Sequence, residues 1–158
     1  MKLLLLALLL PAVAYADLVT HYPCTNSYPG GSPDVPAWVS VEGCNQDGCY
    51  ITQGEVLNLV AAFAPQTTHH RLEFWVRVFL VGISLPIEQP PGLDDACPLI
   101  NGGCPVVAGQ GETTAEVDML VDLPPNIPIA VTVRAEVSLR DLDDGSTVVC
   151  GGVDITAR

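Results

Sequence analysis

The sequence predicts an all-β fold, an immunoglobulin-like sandwich of two antiparallel sheets. Three observations carry that expectation. The 14 Gly and 14 Pro divide the chain into short pieces, and no piece holds a helical period for long. Apolar and polar residues alternate along several pieces, the period of a strand with one buried face. Finally, the 6 Cys form an even set behind an apolar leader, the signature of a disulfide frame made in an oxidising compartment.

The elements follow in chain order. Lys2, the apolar run Leu3 to Leu10 and the small residues of Ala14-Tyr15-Ala16 have the layout of a secretory signal peptide. Cleavage is expected before Asp17, leaving residues 17–158 as one domain. The leader is too short to cross a bilayer, so the expected location is extracellular or an endolysosomal lumen. Pro36 to Glu42 reads as a short strand. Glu55 to Phe63 is a clearer one, with Leu57, Leu59, Ala61 and Phe63 on one face. Arg71 to Ile83 is apolar on both faces except at Glu73 and Arg77, and Pro65 to His70 is expected to join it to its predecessor as a hairpin loop. Glu112 to Leu123 is a further short strand. The strongest signal runs from Ile127 to Leu139, where Val133, Ala135, Val137 and Leu139 alternate with Arg134, Glu136 and Ser138. Arg140 to Ser146 reads as a turn into a last strand, Thr147 to Ile155.

Charge narrows the partners. The formal net charge is −12 and the sequence pI is about 4.2, which repels phosphate backbones and excludes nucleic-acid binding. Lys2 is the only lysine, so after cleavage every basic residue is an arginine. Anionic membranes are repelled at neutral pH. Carboxylates begin to protonate near about pH 4–5, so docking to anionic vesicles is expected to rise between neutral and acidic pH. With 49% hydrophobic residues in a patterned order, the chain is not a disordered acidic tail.

Catalytic chemistry is thinly represented. His21, His69 and His70 read as exposed loop histidines, and adjacent residues such as His69 and His70 diverge too much to chelate a metal. Asp94-Asp95 and the group Asp141, Asp143 and Asp144 sit among turn residues, where Asp serves local backbone bonds. Their order does not match an EF-hand. Nucleophile elbow, phosphate loop and zinc-protease helix are absent from the sequence. Neither enzyme activity nor a cofactor or metal is expected. The cysteines at 24, 44, 49, 97, 104 and 150 are read as disulfides rather than zinc ligands, with the connectivity open from spacing alone.

Three segments together carry a family resemblance. The first is Cys44, Cys49 and Gly54 leading into the strand that ends at Phe63. The second is Val78-Phe79-Leu80-Val81-Gly82-Ile83-Ser84-Leu85-Pro86-Ile87, followed by a proline-rich stretch, Asp94-Asp95-Ala96-Cys97 and Cys104-Pro105. The third is the alternating strand from Ile127 to Asp141, then Cys150. In this order they resemble the ML-domain (lipid-recognition) family, in particular the Niemann-Pick type C-2 sterol carriers and their arthropod relatives, including group 2 mite allergens. The resemblance implies the pairings Cys24–Cys150, Cys44–Cys49 and Cys97–Cys104. It also implies an intersheet cavity for one sterol or other small lipid, in a monomeric carrier. On matching positions the walls would be Val41, Leu57, Leu59, Val76, Leu80, Leu85, Ile87 and Val137, with Val121, Leu123 and Ile127 near the mouth. The family's sterol carriers have aromatics where this chain has Ile87 and Val137, which implies a wider or differently shaped cavity. Fatty acids, semiochemicals and microbial glycolipids are the alternative ligands. The competing expectation is a solid-cored module that binds protein through its loops.

Overall fold

The computed structural model describes residues 18–25, 28–122, 128 and 130–158. The strands are β1 (Tyr22–Pro23), β2 (Trp38–Val41), β3 (Tyr50–Ile51), β4 (Val56–Phe63), β5 (Leu72–Leu80), β6 (Ile83–Leu85), β7 (Thr113–Leu120), β8 (Thr132–Asp141) and β9 (Thr147–Ala157). A 3-10 turn, Cys97–Leu99, carries Pro98 near its start. β2, β4 and β7 form one sheet, and β1-β9-β8-β5-β6 form the other. β3 adds to the edge of β9 in a short parallel pairing. The two sheets pack with their apolar faces together, as the period-two pattern requires.

Two connections differ from the sequence expectation. Residues 65–70 do not close a hairpin, because β4 and β5 belong to opposite sheets. Both strands carry an apolar face, and placing them in facing layers buries each against the other. His69 fixes this crossover by exchanging backbone bonds with Val106 at 2.9 and 3.0 Å. The true hairpin lies inside the expected strand from Arg71 to Ile83. Val81 and Gly82 turn the chain at φ 49° and 79°, the left-handed pair that a two-residue hairpin needs. Val81 disguises this turn, because a β-branched residue rarely adopts positive φ.

The disulfides are Cys24–Cys150, Cys44–Cys49 and Cys97–Cys104, spanning 126, 5 and 7 residues. The first ties the N-terminal segment across β9, and by chain-entropy reasoning it contributes roughly 4–5 kcal/mol. Cys44–Cys49 brackets a tight turn in the loop from β2 to β3, where Asn45 and Gly48 exchange backbone bonds at 3.1 and 3.3 Å.

Candidate functional site: an apolar cleft between the sheets

The interior is not filled. Facing sheets stand roughly 10 Å apart, and several positions that look into the gap are small: Ala61, Ala115, Ala135 and Gly151. Gly151 is small by necessity, since a Cβ there would lie 3.0 Å from Pro36. With only 6% aromatic residues, the chain has few large side chains to occupy what remains.

Two adjoining chambers result. The deep one holds about 50 Å³ and is walled by Val39, Val41, Leu57, Leu59, Phe63, Phe74, Val137, Leu139 and Val149 among others. Ser138 borders it but alternates with Val137 and Leu139, and its hydroxyl donates to the Trp75 carbonyl at 3.2 Å. The outer chamber holds about 190 Å³ between Ile51, Val76, Val78, Val121, Val133 and the segment Ile87 to Pro91. Leu57, Met119, Ala135 and Ile155 border both chambers and form the partition. The outer chamber reaches solvent beside Glu88, Pro91, Leu120 and Asp122, all exposed.

One wall of that mouth is a strap along the free edge of β5. β6 stops at Leu85, and Gln89 takes over its pairing role with a side-chain amide. Its Oε1 accepts from Val76 N and its Nε2 donates to Val76 O, both at 2.8 Å. Farther on, Phe74 N donates to Leu93 O and Ala96 N to Leu72 O. The strap therefore satisfies edge groups that would otherwise need water.

Of the residues expected at a cavity wall, Val41, Leu59 and Val137 line the deep chamber. Val76, Ile87 and Val121 line the outer one, and Leu57 lines both. Leu80 and Leu85 line neither, which corrects that expectation. They belong to the β5–β6 hairpin, which runs past the sandwich and leaves Val81 91% and Ile83 70% exposed. Leu123 and Ile127 lie outside the described residues. Val78, Val133, Ala135, Met119 and Ile155 were not singled out in the sequence. For Val133 and Ala135 the signal was present, since they share the alternating face of Val137.

The polar residues required larger corrections. His69 is buried, with Nδ1 2.6 Å from Asp141 Oδ2 and Nε2 3.0 Å from Thr67 Oγ1. Asp141, expected in a solvated turn, is buried with it and also accepts from Asp143 N at 2.7 Å. Although Thr67, His69 and Asp141 form a hydroxyl–imidazole–carboxylate chain, none of them lines either chamber. The chain instead ties the β4–β5 crossover to the end of β8.

On the outer face of the larger sheet, Glu136 is fully buried. It accepts from Thr25 N at 2.8 Å, Thr25 Oγ1 at 2.9 Å and the Tyr28 hydroxyl at 2.5 Å. Burial pushes the Tyr28 hydroxyl well above its usual range, and its bond to Glu136 pushes it further. Arg134 is bidentate to Asp154 at 2.9 and 3.1 Å, which raises its pKa. Exposed Asp144 is lowered by its bonds from Ser146. Among the described residues, the grouping with metal-ligand geometry is Cys24, Glu136 and Cys150. Its two sulfurs form a disulfide and offer no thiolate.

No protein-family profile matches the chain. Individual relatives do. The mite group 2 allergen Tyr p 2 of Tyrophagus putrescentiae is 30% identical over 159 residues, covering 100% of this chain and 99% of the relative. The chain belongs to the group 2 mite allergen family. A second member of that allergen family, Lep d 2 of Lepidoglyphus destructor, is 30% identical over 146 residues, covering 91% of this chain and 90% of the relative. In fold, the chain is similar to the crystal structure of a Niemann-Pick type C2 protein from the Japanese carpenter ant. The TM-score is 0.65 at 15% identity, with 84% of this chain and 98% of that one covered. Family and disulfides together indicate an extracellular protein.

Proposed function

We propose that this protein is a secreted, non-catalytic carrier that holds one small lipid between its sheets, with a sterol as the first-choice ligand. The observation carrying this reading is the apolar cleft: two adjoining chambers, walled almost wholly by apolar side chains, the outer one open to solvent. The ligand contacts would be Val41, Leu57, Leu59, Val76, Ile87, Val121 and Val137, joined by Val133, Ala135 and Met119. Binding is driven by desolvation, at roughly 0.8 kcal/mol per methylene taken from water.

The chambers together fall short of the roughly 300 Å³ typical of a small-molecule site. A ligand must therefore part the partition, and Met119 is suited to move because its unbranched thioether repacks readily. With Ile87 and Val137 in place of aromatics, the walls yield without displacing a large ring.

Native mass spectrometry of the secreted protein, followed by organic extraction, tests the reading. A stoichiometric adduct of sterol mass is expected. A fatty-acid, semiochemical or glycolipid adduct would keep the carrier and change its cargo. Bare protein that also refuses added sterols and fatty acids would point to a solid-cored, protein-binding module instead.

Delivery at acidic membranes belongs to the same proposal. The formal charge of −12 repels anionic bilayers at neutral pH, while Val56, Val81, Ile83 and Leu120 offer exposed apolar contacts. Cosedimentation with phosphatidylserine vesicles should rise steeply from pH 7 to pH 5. A flat profile would remove membrane docking from the account.

A further inference from the structure

The mouth of the outer chamber carries charge of one sign. Its titratable lining residues are Glu88 and Asp122, and Asp122 accepts from Gln53 Nε2 at 2.9 Å. The Gln89 amide, also at the mouth, is engaged at both ends by Val76. No arginine or histidine borders either chamber.

The arginines are committed elsewhere. On the strands that wall the outer chamber, Arg77 and Arg134 alternate with the lining residues Val76, Val78, Val133 and Ala135, so they project from the opposite face. There Arg77 lies 5.0 Å from the Tyr28 ring and 5.1 Å from the Phe79 ring. Arg134 is held by Asp154. Arg71 pairs with Asp143, Arg140 with Glu73, and Arg158 stacks 4.9 Å from the Tyr50 ring. Residues 123–127 and Ile129 contain no charged side chain in the sequence.

We propose that this rim selects lipids by head group, accepting a hydroxyl or another uncharged donor and refusing an ionised carboxylate. The inference rests on the carrier reading and goes beyond it, to the chemical class of the ligand's polar end. An ionised carboxylate is an acceptor only. With its tail in the cleft, its head would meet two more carboxylates and no cation. A hydroxyl head can donate to either of them. Like charges at such a rim are separated by a medium between protein and water in polarity, which makes the discrimination about tenfold or more.

The experiment is a displacement titration at neutral pH with hexadecanol, methyl hexadecanoate and hexadecanoate, which share one tail. Hexadecanol is expected to bind at least about tenfold tighter than hexadecanoate, with the ester between them because it lacks both charge and donor. Equal or tighter binding of hexadecanoate overturns the proposal while leaving the carrier reading intact. Failure of all three, and of a sterol, overturns the carrier reading itself. The double variant Glu88→Gln with Asp122→Asn should bring the alcohol-to-acid ratio close to one, and an unchanged ratio would overturn the assignment to this rim. Both positions are exposed, so folding is not at issue. Single Glu88→Lys should tighten hexadecanoate specifically, and no gain would count against the proposal.

Discussion

On one side of β8, Val133, Ala135 and Val137 border a gap. On the other, Arg134, Glu136, Ser138 and Arg140 are held by Asp154, by Thr25 and Tyr28, by the Trp75 carbonyl, and by Glu73. Arg140 also lies 4.9 Å from the Trp75 ring. One strand thus presents a directional, hydrogen-bonded face and a non-directional, incompletely packed one. Hydrogen bonds tolerate little displacement, so the polar face fixes the curvature and position of the larger sheet. Apolar contacts have no preferred direction, so the opposite face can reshape around a guest without breaking any bond that defines the fold. Stability and binding should therefore respond to different substitutions in the same ten-residue strand.

The strongest way to break the comparison is Glu136→Ala. It leaves Thr25 N–H and two hydroxyls without their buried acceptor, and urea unfolding should show a loss of about 3–5 kcal/mol. The fraction still folded should keep its lipid stoichiometry. A parallel loss of binding by folded protein would mean that the two faces are not independent.

Val137→Phe probes the opposite face. The ring enters the deep chamber, so sterol uptake should weaken about tenfold or more, with stability changed by less than about 1.5 kcal/mol. A destabilisation as large as that of Glu136→Ala, with uptake unchanged, would show a packed core at this position.

Alkaline pH acts on the polar face alone. The Tyr28 hydroxyl has a folded pKa raised above its unfolded value by burial and by Glu136. Its contribution is therefore complete below about pH 10, the ordinary tyrosine value, and is lost as pH rises beyond that. Thermal unfolding followed upward from pH 9 should show this decline, and Tyr28→Phe should flatten it. The smallest effect lies at the acid end. Asp144 has a lowered pKa, so its contribution is present at neutral pH and fades as pH falls through the carboxylate range. Because it is fully exposed, replacing it with Asn should barely change the acid limb of the stability profile.

The two faces also differed in how far the sequence revealed them. The apolar face was readable because alternation has a fixed period: Leu57 shares a face with Leu59, and Val133 with Ala135 and Val137, whereas Val76 came from the resemblance, and β4, β8 and β9 begin or end close to their expected limits. The polar face was not readable. Glu136 is 111 residues from Thr25, and His69 is 72 from Asp141, so nothing local distinguished either from a solvated side chain. Which sheet each strand joins was hidden for the same reason. Residues 65–70 have the composition of a hairpin loop, and only the pairing of Leu72 with Asp141 rather than with β4 shows that they cross between layers. Leu80 and Leu85 were carried over from the resemblance, and nothing local exposed the turn between them, because β-branched Val81 rarely takes the positive φ it has there.

The central claim is that the inward face of β8 opens to take a lipid, and methyl NMR tests it most directly. A sample labelled at Ala, Val and Leu methyls would be titrated with cholesterol to saturation. The account predicts shifts concentrated at Leu57, Ala135 and Val137, around the partition and deep chamber, with Val133 and Val76 following. Methyls at Val81, on the hairpin tip, should stay where they are. Saturable binding that moves only surface methyls, or no binding while the inner methyls show the narrow, invariant lines of a packed core, would contradict it.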